Sequence, residues 1–284
     1  MNKIKSEEVL QLVIDKIDKL IKEKVEINKD RTLHIISLSD DPASEIYMRN
    51  KVNMAKEYGI NAIIHKPKDK FELYNIMISE VFSSINNRFI IQLPYDTNKW
   101  NITDNLINSN LKFMDIDGFK FDLQDLVRIK NIDDMINHPN FSPTAKGVLL
   151  ILDKLFDGNI EGKQATILGK GITSGLPIAL MCEQLGLTVT WCNSSTLNRI
   201  RQETIENSEI IVSCVGKEII NKDLHSKIDN ACYINVGMFK EDDKLKGDIN
   251  YNDVIELDNT LFCNKLFNST GKLTTMCLIL NTVL

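Results

Sequence analysis

Apolar residues recur along the chain in two alternating rhythms. Over residues 6–24 (SEEVLQLVIDKIDKLIKEK) they return every three or four positions, the period of an amphipathic helix. At 31–38 (RTLHIISL) they crowd into a short β-branched run, which reads as a strand. The alternation continues. A helix at 43–58 ends at Gly59, the strand NAIIHK follows, then a helix around 70–84 and the strand RFIIQLP, closing on Leu93-Pro94. A second series starts near residue 144. Its helix TAKGVLLILDKLF leads to the strand QATILG, a glycine-rich turn and the helix GLPIALMCEQLG. Beyond come the strand LTVTWCN, a helix, the strand EIIVSCVG, a short helix and the strand ACYINVG. The last segment, Gly271 to Leu284, predicts one more helix, which either closes the second series or returns to the first. Short apolar strands separated by amphipathic helices predict an α/β protein whose parallel sheets are covered on both faces. The second series has the βαβαβ order of a Rossmann-like dinucleotide-binding domain.

Composition narrows the partners. The 284 residues, 43% of them apolar, suit one large or two medium domains. The net charge of −5 comes from 34 basic and 39 acidic residues, well mixed and without a long basic run, so no nucleic-acid partner is expected. A small anion held in a local pocket remains compatible with that charge. No apolar run approaches the roughly 18 residues of a membrane helix, so no membrane partner is expected. The charged amphipathic N-terminus does not read as a signal peptide. A cytoplasmic protein is expected. The six cysteines form no C-x-x-C pair and mostly sit in apolar runs, which predicts buried, reduced thiols. His34, His65, His138 and His225 are isolated from one another and from cysteine, so no structural zinc is expected.

The glycine-rich turn runs from Gly169 to Pro177 (GKGITSGLP), after a strand and at the start of a helix. That context lets backbone N–H groups approach a pyrophosphate at the positive end of the helix. Its spacing, G-x-G-x-x-x-G, is one residue longer than the usual form, and an unliganded turn is the plain alternative. The next strand ends in TWCNSST, without the Asp or Glu that usually receives the ribose hydroxyls of NAD. The hydroxyls of Ser194 and Ser195, with Lys170 nearby, suit a 2′-phosphate, which favours NADP without excluding NAD. The same serines also suit capping of the following helix.

Within the helix at 43–58, Tyr47 and Lys51 lie one turn apart and share a face. Short-chain dehydrogenases also carry Y-x-x-x-K, but after the glycine-rich loop; here it comes well before, which argues against that class. A different set fits far more of the chain. Asp41-Pro42-Ala43-Ser44 with Tyr47, Lys51 and Gly59-Ile60, then Gln92-Leu93-Pro94, then Asp115 through Phe119, form three ordered signatures. Gly169 through Pro177, Cys214-Val215-Gly216-Lys217, Asn235-Val236-Gly237, Gly247-Asp248-Ile249 and Asn281-Thr282 follow in order. In these the chain resembles the bifunctional methylenetetrahydrofolate dehydrogenase/methenyltetrahydrofolate cyclohydrolase family.

The resemblance implies two α/β domains with a cleft between them, commonly in a homodimer. Residues 1–142 with 268–284 would form the folate-binding, catalytic domain, and 143–267 the NAD(P)-binding domain. It implies oxidation of methylenetetrahydrofolate with NADP and hydrolysis of the methenyl product to formyltetrahydrofolate, in one-carbon metabolism and purine biosynthesis. Tyr47, Lys51, Gln92 and Asp117 would be catalytic. Tetrahydrofolate derivatives would meet Tyr47, Lys51, Gln92, Leu93, Pro94, Asp117, Gly271 and Thr274. The cofactor would meet Gly169, Lys170, Gly171, Ser174, Gly175, Ser194, Ser195, Val215, Gly216, Gly237 and Met238. No metal is implied.

These residue types suit the chemistry. Ring opening adds water at a cationic carbon and moves protons nearby, work for a lysine whose pKa is lowered toward neutrality. Gln92 would orient that amine, Tyr47 would stack on the pterin, and Asp117 would accept hydrogen bonds from its amino-pyrimidine edge. Plainer readings stand beside these: Lys51 as solvated surface near Arg49 and Lys56, Gln92 as a strand-end residue, Asp117-Gly118 as a turn pair.

The departures touch the dehydrogenase half and the folate-closing loop more than the Lys51 group. Of the family's Pro- and Gly-rich loop before the last helix, only Gly271 and Thr274 remain in Lys265 through Thr274. Asn268 suits a left-handed backbone better than Ser269 does. The family's nucleotide-loop arginine and serine are Lys170 and Gly171, and its proline-cysteine-threonine-proline stretch is Ser142-Pro143-Thr144-Ala145. Two alternatives follow: a cyclohydrolase with weak or NAD-linked oxidation, and an inactive folate- or nucleotide-binding subunit.

Overall fold

The computed structural model describes residues 3–100, 114–119 and 123–284. By packing, the chain divides into two units. A three-stranded unit takes residues 16–123, 136–143 and 275–284; a five-stranded unit takes 1–15, 124–135 and 144–274. The final helix, Thr270–Val283, is therefore shared, its first turn counted with one unit and the rest with the other. The first residues join the five-stranded unit because Ile4 N–H donates to Leu261 O and Lys265 pairs with Glu7.

The three-stranded unit holds the sheet β2-β1-β3, all parallel, from β1 (Thr32–Ser37), β2 (Asn61–His65) and β3 (Asn87–Gln92). β1 and β3 are buried nearly throughout, as expected of apolar runs in a covered parallel sheet. Helix α1 (Ser6–Ile27) buries Val9, Val13, Ile17 and Ile21, one residue per turn. Helix α2 (Pro42–Glu57) starts where Asp41 accepts from Ser44 N–H, with Pro42 in the first turn. Helix α3 (Lys70–Ile76) widens into a π turn over Met77–Val81, so the expected helix of 70–84 is present but irregular.

The five-stranded unit holds the parallel sheet β10-β7-β6-β4-β5, from β4 (Gln164–Leu168), β5 (Thr188–Cys192), β6 (Ile210–Ser213), β7 (Ala231–Asn235) and β10 (Thr260–Cys263). Chain order runs outward from β4 to β5, then returns past β4 to β6, β7 and β10. The order thus reverses between β4 and β6, where α/β folds open a crevice beyond the strand ends. The short helix expected between β6 and β7 is absent. That segment runs as bends tied to a later stretch through the bridge of Ile220 to Ile249. A hairpin, β8 (Met238–Glu241) and β9 (Lys244–Gly247), was not foreseen. It turns through Asp242 and Asp243, both at positive φ, a conformation more often signalled by Asn-Gly. All six cysteines are free; five are buried and Cys214 is half-buried.

One expectation is overturned. His34 and His65 are not isolated. Parallel register sets His34 opposite Ile63 and Ile36 opposite His65, which puts both rings on one face. The rings stack at 5.1 Å, with His34 Nδ1 and His65 Nε2 2.9 Å apart. Burial lowers both imidazoles below their ordinary value; the neighbouring imidazole adds to this at His34, and Glu80 opposes it at both. The unfolded chain therefore takes up protons that the folded pair resists, so stability is present above about pH 6.5 and declines as pH falls below it. Thermal unfolding followed from pH 7.5 to 5 should show this decline. His34→Gln combined with His65→Gln should flatten it, and an unaltered slope would exclude the pair as its source.

Candidate active site

The structure gathers the predicted residues into two groups, one in each unit. In the three-stranded unit, Asp41 and Ser44 lock the start of α2 to the end of β3. Ser44 Oγ is placed to donate to Asp41 Oδ2 at 3.1 Å and to Leu93 O at 3.4 Å. Two turns into α2, Lys51 Nζ donates to Gln92 Oε1 at 2.8 Å. The other end of that amide, Nε2, donates to Leu93 O at 2.7 Å, which leaves the oxygen facing the amine. Lys51 is half-buried rather than solvated surface, and Gln92 is buried. Tyr47, one turn earlier on the same face, is 47% exposed, so its ring has surface to offer a ligand. Leu93 is half-buried, Pro94 is exposed, and the bond joining them is cis.

Asp117 comes from a segment alongside β3. Asp115 bridges Phe89, and Ile116 N–H donates to Phe89 O at 3.2 Å. Asn140 Nδ2 holds Asp115 O, and Asn281 Nδ2 holds both Ile116 O and Phe141 O, each at 2.9 Å. Gly118 sits at φ +76, and a Cβ there would meet Asn140 O at 2.5 Å, so the tight turn after Asp117 requires glycine. Asp115 O is thus used structurally, and its carboxylate accepts Asp117 N–H at 3.2 Å.

Burial lowers the Lys51 pKa, and the charge of Asp117 pulls it partly back. Asp117 mirrors this: burial raises its carboxyl and Lys51 opposes. Desolvation wins at both, because the amine and carboxyl interact without being joined by an ideal ion-pair contact. The result is an amine made easier to deprotonate, held in place by a neutral amide.

The second group lies in the five-stranded unit, at the strand-order reversal. A cavity of about 450 Å³ is lined by Gly169, Lys170, Gly171, Ser194 and Val215 from the predicted set. Ser174, Gly175, Ser195, Gly216, Gly237 and Met238 do not line it. Several of these shape the turns instead. A Cβ on Gly175 would stand 2.3 Å from Gly169 O, so the helix starts only because the loop can pass this close. Asp248 accepts from Ser213 Oγ at 2.9 Å and Val215 N–H at 2.6 Å and leaves no room for a side chain at Gly237. Ser195 N–H donates to Asn193 Oδ1, and Thr196 Oγ1 accepts from Asn193 N–H, so this turn closes on itself. The helix that follows, Asn198–Glu206, has Leu197 as its N-cap and no side-chain cap, so helix capping does not account for Ser194-Ser195-Thr196.

Arg201 and Lys217 line the same cavity and were not foreseen. A signal for Arg201 did exist: it lies four residues before buried Ile205 and so shares that helix face. Burial raises the Cys192 thiol, and the nearby charge of Arg201 opposes the rise. Lys170 Nζ stands 5.6 Å over the Trp191 ring, and Trp191 Nε1 donates to Gly169 O. No Asp or Glu lines the cavity. The donor set, cations and close-approach glycines, fits a dinucleotide phosphate.

The remaining predicted pair, Gly271 and Thr274, belongs to the five-stranded unit and opens the last helix. Asn268 just before it is left-handed at φ +53, while Ser269 is buried and accepts from Asn264 Nδ2 at 2.7 Å. Among the described residues, no cluster of three or more His, Cys, Asp or Glu could hold a metal ion.

Comparison with known proteins agrees with this picture. Residues 142–284 match the family model "Tetrahydrofolate dehydrogenase/cyclohydrolase, NAD(P)-binding domain". The chain is 31% identical over 236 residues to the bifunctional protein FolD of Lactobacillus gasseri, covering 81% of this chain and 78% of that one. In fold it is similar to the bifunctional FolD methylenetetrahydrofolate dehydrogenase/cyclohydrolase of Campylobacter jejuni, with a TM-score of 0.81, 23% identity and coverage of 97% and 95%. It is also similar to the Trypanosoma brucei enzyme solved with NADP cofactor and inhibitor, with a TM-score of 0.76, 19% identity and coverage of 99% and 95%.

The Gly169–Gly175 approach yields a prediction. Gly175→Ala forces the loop and helix apart, so it should weaken dinucleotide binding at least tenfold by calorimetry and lower the unfolding temperature. Binding at the original strength would show that the close approach does not shape the cavity.

Proposed function

Since the chain belongs to the tetrahydrofolate dehydrogenase/cyclohydrolase family, we propose that it carries out both reactions of that family in turn. It oxidises methylenetetrahydrofolate to methenyltetrahydrofolate with NADP, then hydrolyses the product to formyltetrahydrofolate. The observation that carries the reading is the half-buried Lys51 amine, fixed by Gln92 and facing the charge of Asp117.

NADP, when bound, accepts hydride from the methylene carbon. The chain's own share is to bind, align and move protons. Gly169 and Gly171 border the cavity with backbone, Val215 also lines it, and Lys170 and Ser194 supply charge and a hydroxyl for phosphate. Tyr47 stacks on the pterin, and Asp117 accepts from its amino-pyrimidine edge. For hydrolysis, Lys51 Nζ takes the proton of the water that adds to the cationic methenyl carbon, then returns a proton to the nitrogen that leaves as the ring opens. Gln92 Oε1 keeps Nζ aimed through both transfers. We assign Leu93 and Pro94 to the folate wall, and Gly271 and Thr274 to the closing loop. The functional division is 1–142 with 268–284 for folate and 143–267 for the nucleotide. The protein works as a cytoplasmic homodimer in one-carbon metabolism and purine biosynthesis, without nucleic-acid or membrane partners. Among the described residues no helix is long and apolar enough to cross a membrane.

Purified protein given methenyltetrahydrofolate alone should clear its absorbance above the spontaneous rate. Lys51→Met should abolish that excess while circular dichroism stays native; full hydrolysis by this variant would remove Lys51 from the mechanism. The rate should rise with pH as the amine deprotonates. Because Asp117 pulls the Lys51 pKa upward, Asp117→Asn should move the rising limb to lower pH. A limb that stayed in place, or moved to higher pH, would break the proposed coupling.

A further inference from the structure

The ribose 2′ position of a bound dinucleotide can be located from chain topology. In a βαβ nucleotide fold it faces the end of the strand after the glycine-rich helix, where an NAD site places a carboxylate. That strand is β5, and its end is Cys192-Asn193-Ser194, which borders the cavity. Arg201 reaches the same corner from the helix Asn198–Glu206, close enough to Cys192 for its charge to act on the thiol. Its Nη2 donates to Asn198 Oδ1 at 2.7 Å, while its Nε is buried without a hydrogen-bond partner. Among the described residues it has no carboxylate within ion-pair distance. A guanidinium is seldom left so poorly paired when half-buried, because burial of unmatched donors is costly. Of the other two cations on the cavity wall, Lys170 is drawn over the Trp191 ring, and Lys170 and Lys217 alike offer only a point charge.

Resting on the nucleotide reading above, we infer that Arg201 is the principal 2′-phosphate ligand and sets the preference for NADP over NAD, with Ser194 as its neutral partner. The planar fork presents two N–H groups to phosphate oxygens, a match that Lys170 cannot make. The arginine sits on a helix and not in the glycine-rich loop. The loop lysine therefore secondarily neutralises the phosphate without reading its geometry.

The test separates this inference from the assigned reaction. Binding of 2′,5′-ADP and of 5′-AMP to the full-length protein is measured by calorimetry, for wild type, Arg201→Met, Arg201→Lys and Lys170→Met. Loss of charge-assisted hydrogen bonds at Arg201→Met should weaken 2′,5′-ADP by about 10- to 100-fold. Its affinity for 5′-AMP should change by no more than about twofold, on the same scale. Arg201→Lys should recover part of the loss, and Lys170→Met should reduce the preference less than Arg201→Met does. In steady state, KM for NADP should rise in Arg201→Met with little change in kcat and little change in KM for NAD. Equal weakening of both probes, a preference untouched by Arg201→Met, or a larger loss in Lys170→Met would each overturn the inference. Should Arg201→Met fail to fold, Arg201→Lys decides: a preference equal to wild type would overturn the forked contact. Absence of methylenetetrahydrofolate oxidation in wild type would refute the assigned reaction, while the binding measurements would still decide the role of Arg201.

Discussion

Parallel strand direction is the constraint on which the chemistry rests. In the three-stranded and the five-stranded sheet every strand points the same way, so the polar ends of the strands and the loops leaving them collect along one edge. Gln92 ends β3, Gly169 follows β4, Asn193 follows β5 and Cys214 follows β6. β1, β3, β4, β6 and β7 are buried nearly throughout and carry mostly apolar residues, which leaves the strand ends as the places where polar groups can be exposed without opening the core. In the five-stranded unit, reversal of strand order between β4 and β6 sends successive crossovers to opposite faces. No connection covers the gap, and the cavity lies there.

The two groups of functional residues manage charge in opposite ways. Lys51 is one amine drawn out of water, steadied by the neutral amide of Gln92 and only partly compensated by Asp117. That arrangement favours proton transfer, because neither protonation state is locked by a full ion pair. The nucleotide cavity has Lys170, Arg201 and Lys217 on its wall and no carboxylate. Uncompensated positive charge there is a standing cost to the fold, offset when an anionic ligand arrives. Buried Asp248 is used differently: its Oδ2 accepts from Ser213 Oγ and Val215 N–H and serves to shape a turn.

The loop before the final helix is held by its own residues. Asn268 takes up a left-handed backbone, and buried Ser269 is tied down by Asn264. Thr270 Oγ1 donates to Asn235 O at 2.9 Å, which joins this loop to the end of β7. Lys170 lies over Trp191, a residue of the neighbouring strand, while Arg201 reaches the same cavity from the next helix.

Much of the protein was legible in the chain because its signals are local. The strand runs, the cap of α2 at Asp41, the glycine-rich turn and the ordered signatures each depend on neighbours within a few residues, where propensity and turn chemistry act. Tyr47 and Lys51 could be paired from helical periodicity alone. Contacts between distant segments were not legible. The Lys51–Gln92 bond, across 41 residues, was expected only through the family resemblance; Asn281 holds backbone 140 and 165 residues away, and His34 meets His65 only because two parallel strands choose one register. The spacing to Ile205 could put Arg201 on the inward face of its helix but not at a cavity, since helix orientation is set by the sheet it covers. Sequence alone determined the elements and their order, through short-range sterics and hydrophobic period. Only the tertiary structure decided which charges left water and what they faced, because desolvation is a property of everything that surrounds a group.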